Sequence, residues 1–117
     1  MATREGVDAL TPFCASYTQA IEIIGRRWTG AIVRSMLAGT GRFGEILAAV
    51  PGLSDRLLSE RLKELELEGI VERNVVPSTP VRIEYSLTEK GKGLAAVVHA
   101  VSDWVEAWAP EQGPPAT

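Results

Sequence analysis

The sequence predicts a mainly α-helical domain carrying one small β-hairpin. Four segments between residues 17 and 68, and a fifth after residue 88, repeat apolar residues at three- and four-residue spacing. Only the stretch from Ile70 to Leu87 alternates at a spacing of two, and "PSTP" interrupts it halfway. At 117 residues the chain is long enough for one domain with a core and too short for two.

Taken in order, Tyr17, Ala20, Ile21 and Ile24 share one face of a short helix that Gly25 ends. After the basic step "GRR", Trp28, Ile32, Val33, Met36 and Leu37 repeat the pattern, and Gly39 and Gly41 stop it. A third helix from about Arg42 to Ala49 turns Phe43, Ile46 and Leu47 inward, and "VPGL" makes the turn that follows. Ser54 is then a good N-cap for a fourth helix that stops at Gly69. Two helices joined by a tight glycine-containing turn form a helix-turn-helix unit, placed here at about 42–68.

"IVERNVV" and "VRIEYSL" predict a hairpin over about 70–87. Val71, Val75, Val81, Ile83, Tyr85 and Leu87 supply its apolar face, with Arg73, Arg82 and Glu84 turned the other way. The prolines of "PSTP" suit an exposed tip, because proline cannot donate to a ladder. Thr88 can cap a long helix to about residue 109 with Leu94, Val97, Val98, Val101, Trp104, Val105 and Trp108 on one face. Residues 1–12 and 110–117 lack periodicity and are expected to be flexible. The whole reads as a winged helix-turn-helix over 13–109 with extra helices at each end.

The single cysteine, Cys14, excludes an intrachain disulfide, and with one histidine, His99, there is no basis for a multi-ligand metal centre or a Cys/His catalytic pair. Neither enzymatic activity, cofactor nor metal is expected. No apolar run reaches the roughly 20 residues of a membrane span, and "MATREGVDAL" is not a secretory signal, so the expected location is the cytoplasm. The net charge of −3 conceals polarity. Seven bases face three acids from Arg26 to Lys63, a net +4, whereas four bases face nine acids from Glu64 to Gln112, a net −5. The helix-turn-helix half is the one suited to a polyanion.

"LSDRLLSERLKELELEG" is itself net acidic, with five acids against three bases. At about 100° per residue, however, Leu58, Leu62 and Leu65 fall on one face, with Leu57 beside them, and Arg56, Ser59, Glu60 and Lys63 fall opposite. Arg56, Ser59 and Lys63 are the candidates for base edges. Ser54, Arg42, Arg27 and the wing, through Ser78, Thr79 and Arg82, are those for phosphate. Glu60 could accept from cytosine, orient an arginine or repel misplaced phosphate.

"IGRRWTGAIVRSML", "GRFGEIL", "PGLSDRLLSERLKELELEGIVER", "PVRIEYSLTEKGKGL" and "WVEAW", in this order and spacing, resemble the HxlR-type winged helix-turn-helix transcriptional regulators of bacteria. The resemblance covers roughly Cys14 to Trp108. It implies a homodimer that binds double-stranded operator DNA, usually as a repressor and sometimes as an activator, with Ser54 to Glu68 as recognition helix and Pro77 to Pro80 as wing. It also implies that the terminal helices make the dimer, which places Tyr17, Ile21, Leu94, Val98, Val101, Trp104, Val105 and Trp108 at the interface. A domain this small has limited surface to cover the Trp104/Trp108 stripe, which independently favours a twofold contact.

In some members of that family a cysteine at the position of Cys14 senses oxidants or electrophiles such as quinones, usually as Cys-Pro. Here Ala15 follows. The residues alone also allow a buried, inert Cys14, with Arg4, Arg26 and Arg27 as the cations that could otherwise activate it. Two alternatives stay open: a winged-helix protein–protein adaptor that never touches DNA, and a ligand-responsive regulator in which Cys14 is only structural.

Overall fold

The protein is described here by a computed structural model covering residues 14–112; the segment 1–12 and the end of the tail, 113–117, lie outside the described residues. Its elements are α1 (Ala15–Ile24), α2 (Thr29–Leu37), α3 (Phe43–Ala49), α4 (Asp55–Leu67), β1 (Val71–Val76), β2 (Arg82–Leu87), α5 (Glu89–Lys92) and α6 (Ala95–Gln112). The mainly helical architecture with a two-stranded antiparallel hairpin is the one the periodicities predict.

Ile32, Val33 and Met36 from α2, Ile46 from α3, and Leu58, Leu62 and Leu65 from α4 build the core, closed by Val50, Leu53, Ile70 and Val71. These are the inward faces the three- and four-residue spacings select. Leu57, Phe43 and Leu47 line its edge, half-buried. Between α3 and α4 the chain reverses at Gly52, which has φ +89. A Cβ there would also stand 3.2 Å from the Trp28 ring, so the turn needs glycine for conformation and for space.

Both ends of α4 are closed. The Ser54 hydroxyl accepts from the Leu57 amide at 3.1 Å. At the other end Gly69, at φ +76, lets the amides of Gly69 and Ile70 donate to the carbonyls of Glu66 and Leu65. Helix α4 thus passes into β1 without an orphaned last turn.

The hairpin pairs Val71 with Leu87, Arg73 with Tyr85 and Val75 with Ile83. This corrects one expectation: with a strand period of two, Arg73 shares the face of Val71 and Val75, while Arg82 and Glu84 occupy the other. The apolar face is also only partly covered. Val71 is buried and Tyr85 and Leu87 pack on the core, whereas Val75, Val81 and Ile83 are exposed, because the wing extends beyond the helices that could cover it.

The expected single helix from Thr88 is in two pieces. Thr88 caps α5, its hydroxyl accepting from the Gly91 amide at 3.0 Å, and α5 ends at Gly93 before α6 begins. Buried Gly91 lies so close to β1 that a Cβ on it would run into the Ile70 carbonyl. Helix α6 continues through Gln112, three residues beyond the expected end, into the segment read as tail. It packs on α2, with Val98 and, just before the helix, Leu94 half-buried against the core.

Candidate nucleic-acid interface

The outward face of α4 carries the residues that the helical wheel places there. Arg56, Ser59, Glu60 and Lys63 are all exposed, on the side opposite buried Leu58, Leu62 and Leu65. Arg56 is 88% exposed in its side chain, yet its Nε lies 3.2 Å from Glu60 Oε2 one turn on. The acid of the outward face is therefore engaged with the base beside it. Ser54 is exposed and spends one lone pair as the cap, which leaves its hydroxyl proton free.

Arg42 and Arg82, 40 positions apart, come together. The Tyr85 amide donates to the Gly41 carbonyl at 2.7 Å, and an isolated bridge joins Arg42 to Glu84, so the start of α3 lies along the free edge of β2. Glu84 Oε2 then stands 3.3 Å from Arg82 Nε and 3.8 Å from Arg42 Nε. This acid holds the two arginines in one half-exposed cluster; its place beside Arg82 follows from the strand spacing of two, while its contact with Arg42 depends on tertiary packing.

Glu45 closes the start of α3. One carboxylate oxygen accepts from the amides of both Arg42 and Gly41 at 3.1 Å. Hydrogen bonding from Arg42, then Gly41, holds its pKa below the ordinary carboxylate value, with the Arg42 charge adding to the effect against a small desolvation cost. At the wing tip Ser78 and Thr79 are exposed, and Ser78 Oγ donates to the Pro80 carbonyl at 2.6 Å, which stiffens the loop.

Arg27 is exposed, with its guanidinium 5.1 Å from the centre of the Trp28 ring. Its carbonyl accepts from Arg61 Nε at 2.9 Å, and Arg26 pairs with Glu64 at 3.0 Å. Helix α4 is thereby tied to the α1–α2 turn by a set of contacts that sequence reasoning did not identify.

Much of the apolar stripe of α6 is uncovered: Trp104 is 62% and Trp108 49% exposed, with Val101 and Val105 exposed beside them. Tyr17 and Ile21 of α1 are likewise exposed, whereas Leu94 and Val98 are half-buried against α2. An apolar groove of about 710 Å³ runs between α1, α2 and α6, lined among others by Ile21, Ile24, Val33, Val97, Val98 and Val101. Cys14 is half-buried just before α1. Arg26 and Arg27 follow the far end of that ten-residue helix, about 15 Å away, so within one chain they cannot be the cations expected beside the thiol. Arg4 lies outside the described residues. His99 is exposed.

Comparison with known proteins places this geometry. Residues 23–113 match the family described as HxlR-like helix-turn-helix. The HTH-type transcriptional regulator YvaP of Bacillus subtilis is 56% identical over 95 residues, covering 81% of this chain and 88% of that protein. YodB, another HTH-type transcriptional regulator of B. subtilis, is 44% identical over 93 residues, covering 80% and 83%. The solved reduced form of YodB superposes with a TM-score of 0.72 over 90% of this chain and 99% of that one, and diamide-treated and quinone-bound forms of YodB also match. The reduced redox regulator HypR, 35% identical, gives 0.74 over 80% and 92%. The chain belongs to the HxlR-like helix-turn-helix family and is a transcriptional regulator of winged-helix type, not an enzyme.

Proposed function

We propose that the protein is a cytoplasmic, homodimeric repressor that binds an inverted-repeat operator in double-stranded DNA. The observation that carries this reading is the placement of Arg56, Ser59 and Lys63 on the open face of α4, with Arg42 and Arg82 clustered beside the wing. In this reading α4 enters the major groove and presents those three side chains to base edges. Ser54, Arg27, Arg42, Arg82 and the wing-tip Ser78 and Thr79 hold phosphates and set the register. The two copies meet through α1 and α6 and bury Tyr17, Ile21, Leu94, Val98, Val101, Trp104, Val105 and Trp108. Their α4 helices then reach grooves about 34 Å apart. The uncovered apolar stripe favours this assembly over an adaptor that works as a single domain.

The test is a footprint and a salt titration. Arg56→Ala is expected to relax base preference at one position in each half-site. Arg82→Ala should weaken all sequences alike and lower the slope of log affinity against log salt by about one. Unchanged footprints and slopes in both variants would refute the assignment.

Regulation through Cys14 by an oxidant or electrophile is the finer part of the proposal. Its support is the kinship with YodB and HypR and the seat of the half-buried thiol at the start of α1. Quinone or diamide is expected to lower operator affinity in wild type and leave Cys14→Ser unaffected. An equal response in both proteins would assign the signal to a ligand elsewhere and leave Cys14 structural.

A further inference from the structure

The ion pairs on α4 form an ordered series. Arg26 NH1 lies 3.0 Å from Glu64 Oε2; Arg61 NH1 lies 3.3 Å from that same oxygen and 4.0 Å from Glu60 Oε1; and Arg56 Nε lies 3.2 Å from Glu60 Oε2. Charge alternates in sign through five side chains, from the α1–α2 turn, along the flank of α4, to its open face. Arg61 is the pivot. Its side chain is only 14% exposed, and its Nε is used on the Arg27 carbonyl at 2.9 Å while NH1 faces the two carboxylates. Only a planar, multi-donor guanidinium can hold that arrangement; a lysine ammonium would satisfy one leg and release the others.

The consequence falls on Arg56. A side chain so exposed would sample many rotamers, and each must be given up when it docks on a base edge. Glu60 restrains it before DNA arrives, and Arg61 restrains Glu60. The same carboxylate raises the cost of placing the face of α4 against phosphate without a base partner, which penalises indiscriminate binding.

Resting on the DNA-binding reading above, we propose that Glu60 is a specificity-determining positioning residue. It holds Arg56 for base contact, and Arg61, Glu64 and Arg26 link the pose of Arg56 to the α1–α2 turn. That turn directly follows α1, the helix that Cys14 immediately precedes, so a shift of α1 has a direct path of polar contacts to the reading face.

The experiment is selection from random-sequence DNA with full-length wild type, Arg56→Ala, Glu60→Gln and Arg56→Ala/Glu60→Gln, with thermal unfolding as the check on folding. Glu60→Gln is expected to lose about threefold to fivefold in preference at the same base pair that Arg56→Ala affects, the scale of an exposed ion pair. It should also bind random DNA more tightly, and add nothing at that base pair once Arg56 is gone. Arg61→Lys, and more weakly the exposed Arg26→Gln, should broaden the same position and no other. NMR of arginine Nε–H groups in free protein should show Arg56 ordered in wild type and mobile in Glu60→Gln.

An unchanged motif for Glu60→Gln, an effect at a different base pair that survives in the double variant, or equal Arg56 mobility in both proteins overturns the proposal. A wild type that binds no DNA refutes the functional reading and this inference together. Selective wild-type binding with an unaltered Glu60→Gln motif refutes the inference alone.

Discussion

The Glu45 carboxylate completes the start of α3 by taking two amides at once, and its lowered pKa makes that contribution dependent on pH. Because the folded-state pKa lies below the ordinary value of 4.5, the stabilisation is complete above that value and is lost as pH falls through the folded-state pKa. Glu45→Gln is therefore expected to lower the unfolding temperature at pH 7, with the difference from wild type shrinking as pH drops below about 4.5. A difference independent of pH would show that the contribution does not depend on the charge. Residues of this kind were legible in part. The caps Ser54 and Thr88 and the outward set on α4 follow from spacing within one element, which a sequence carries directly. The contact of Glu84 with Arg42 and that of Arg61 with the Arg27 carbonyl are not legible, because each depends on a partner brought near only by tertiary packing.

Among the elements, the first four helices follow the apolar spacing to within two residues at each end, the C-terminal helix is split where one was expected, and the hairpin follows the alternation of its two strands. The two misses have different causes. Arg73 was assigned to the polar face by its chemistry, whereas the ladder obeys parity alone and sets it beside Val71 and Val75. The break between α5 and α6 was hidden because the apolar period of α6 begins again at Leu94 after the "EKGKG" turn, and the pattern reads through the gap. That break fits tightly against the end of α4: the Lys90 ammonium donates to the Glu68 carbonyl at 2.7 Å, the Thr88 hydroxyl to the Gly69 carbonyl at 2.5 Å, and Gly91 presses on Ile70. Gly91→Ala is accordingly expected to destabilise by several kcal/mol, about 2–4, since the clash is with backbone that cannot swing aside. Chemical denaturation checks this, and a loss under about 0.5 kcal/mol, the scale of an ordinary surface substitution, would contradict it.

At the scale of the whole molecule the described chain is extended, with a radius of gyration of 16.4 Å where a compact domain of this length has about 13 Å. Much of its apolar stripe on α6 is left uncovered by the rest of the described chain. If that stripe closes a dimer, Trp104→Asp together with Trp108→Asp should give a monomer by analytical ultracentrifugation, with operator affinity reduced at least about 100-fold because only one half-site is engaged at a time. A dimer that persists would move the interface elsewhere. The central claim, that the open face of α4 reads DNA in a twofold pair, is tested most directly by selecting operators from random DNA with wild type and with Arg56→Ala. The expected result is an inverted repeat whose half-site centres lie about 10 base pairs apart, or a multiple of that, with one base pair in each half losing its preference in the variant. No enriched sequence with the wild type, or the same motif unchanged in Arg56→Ala, would contradict it.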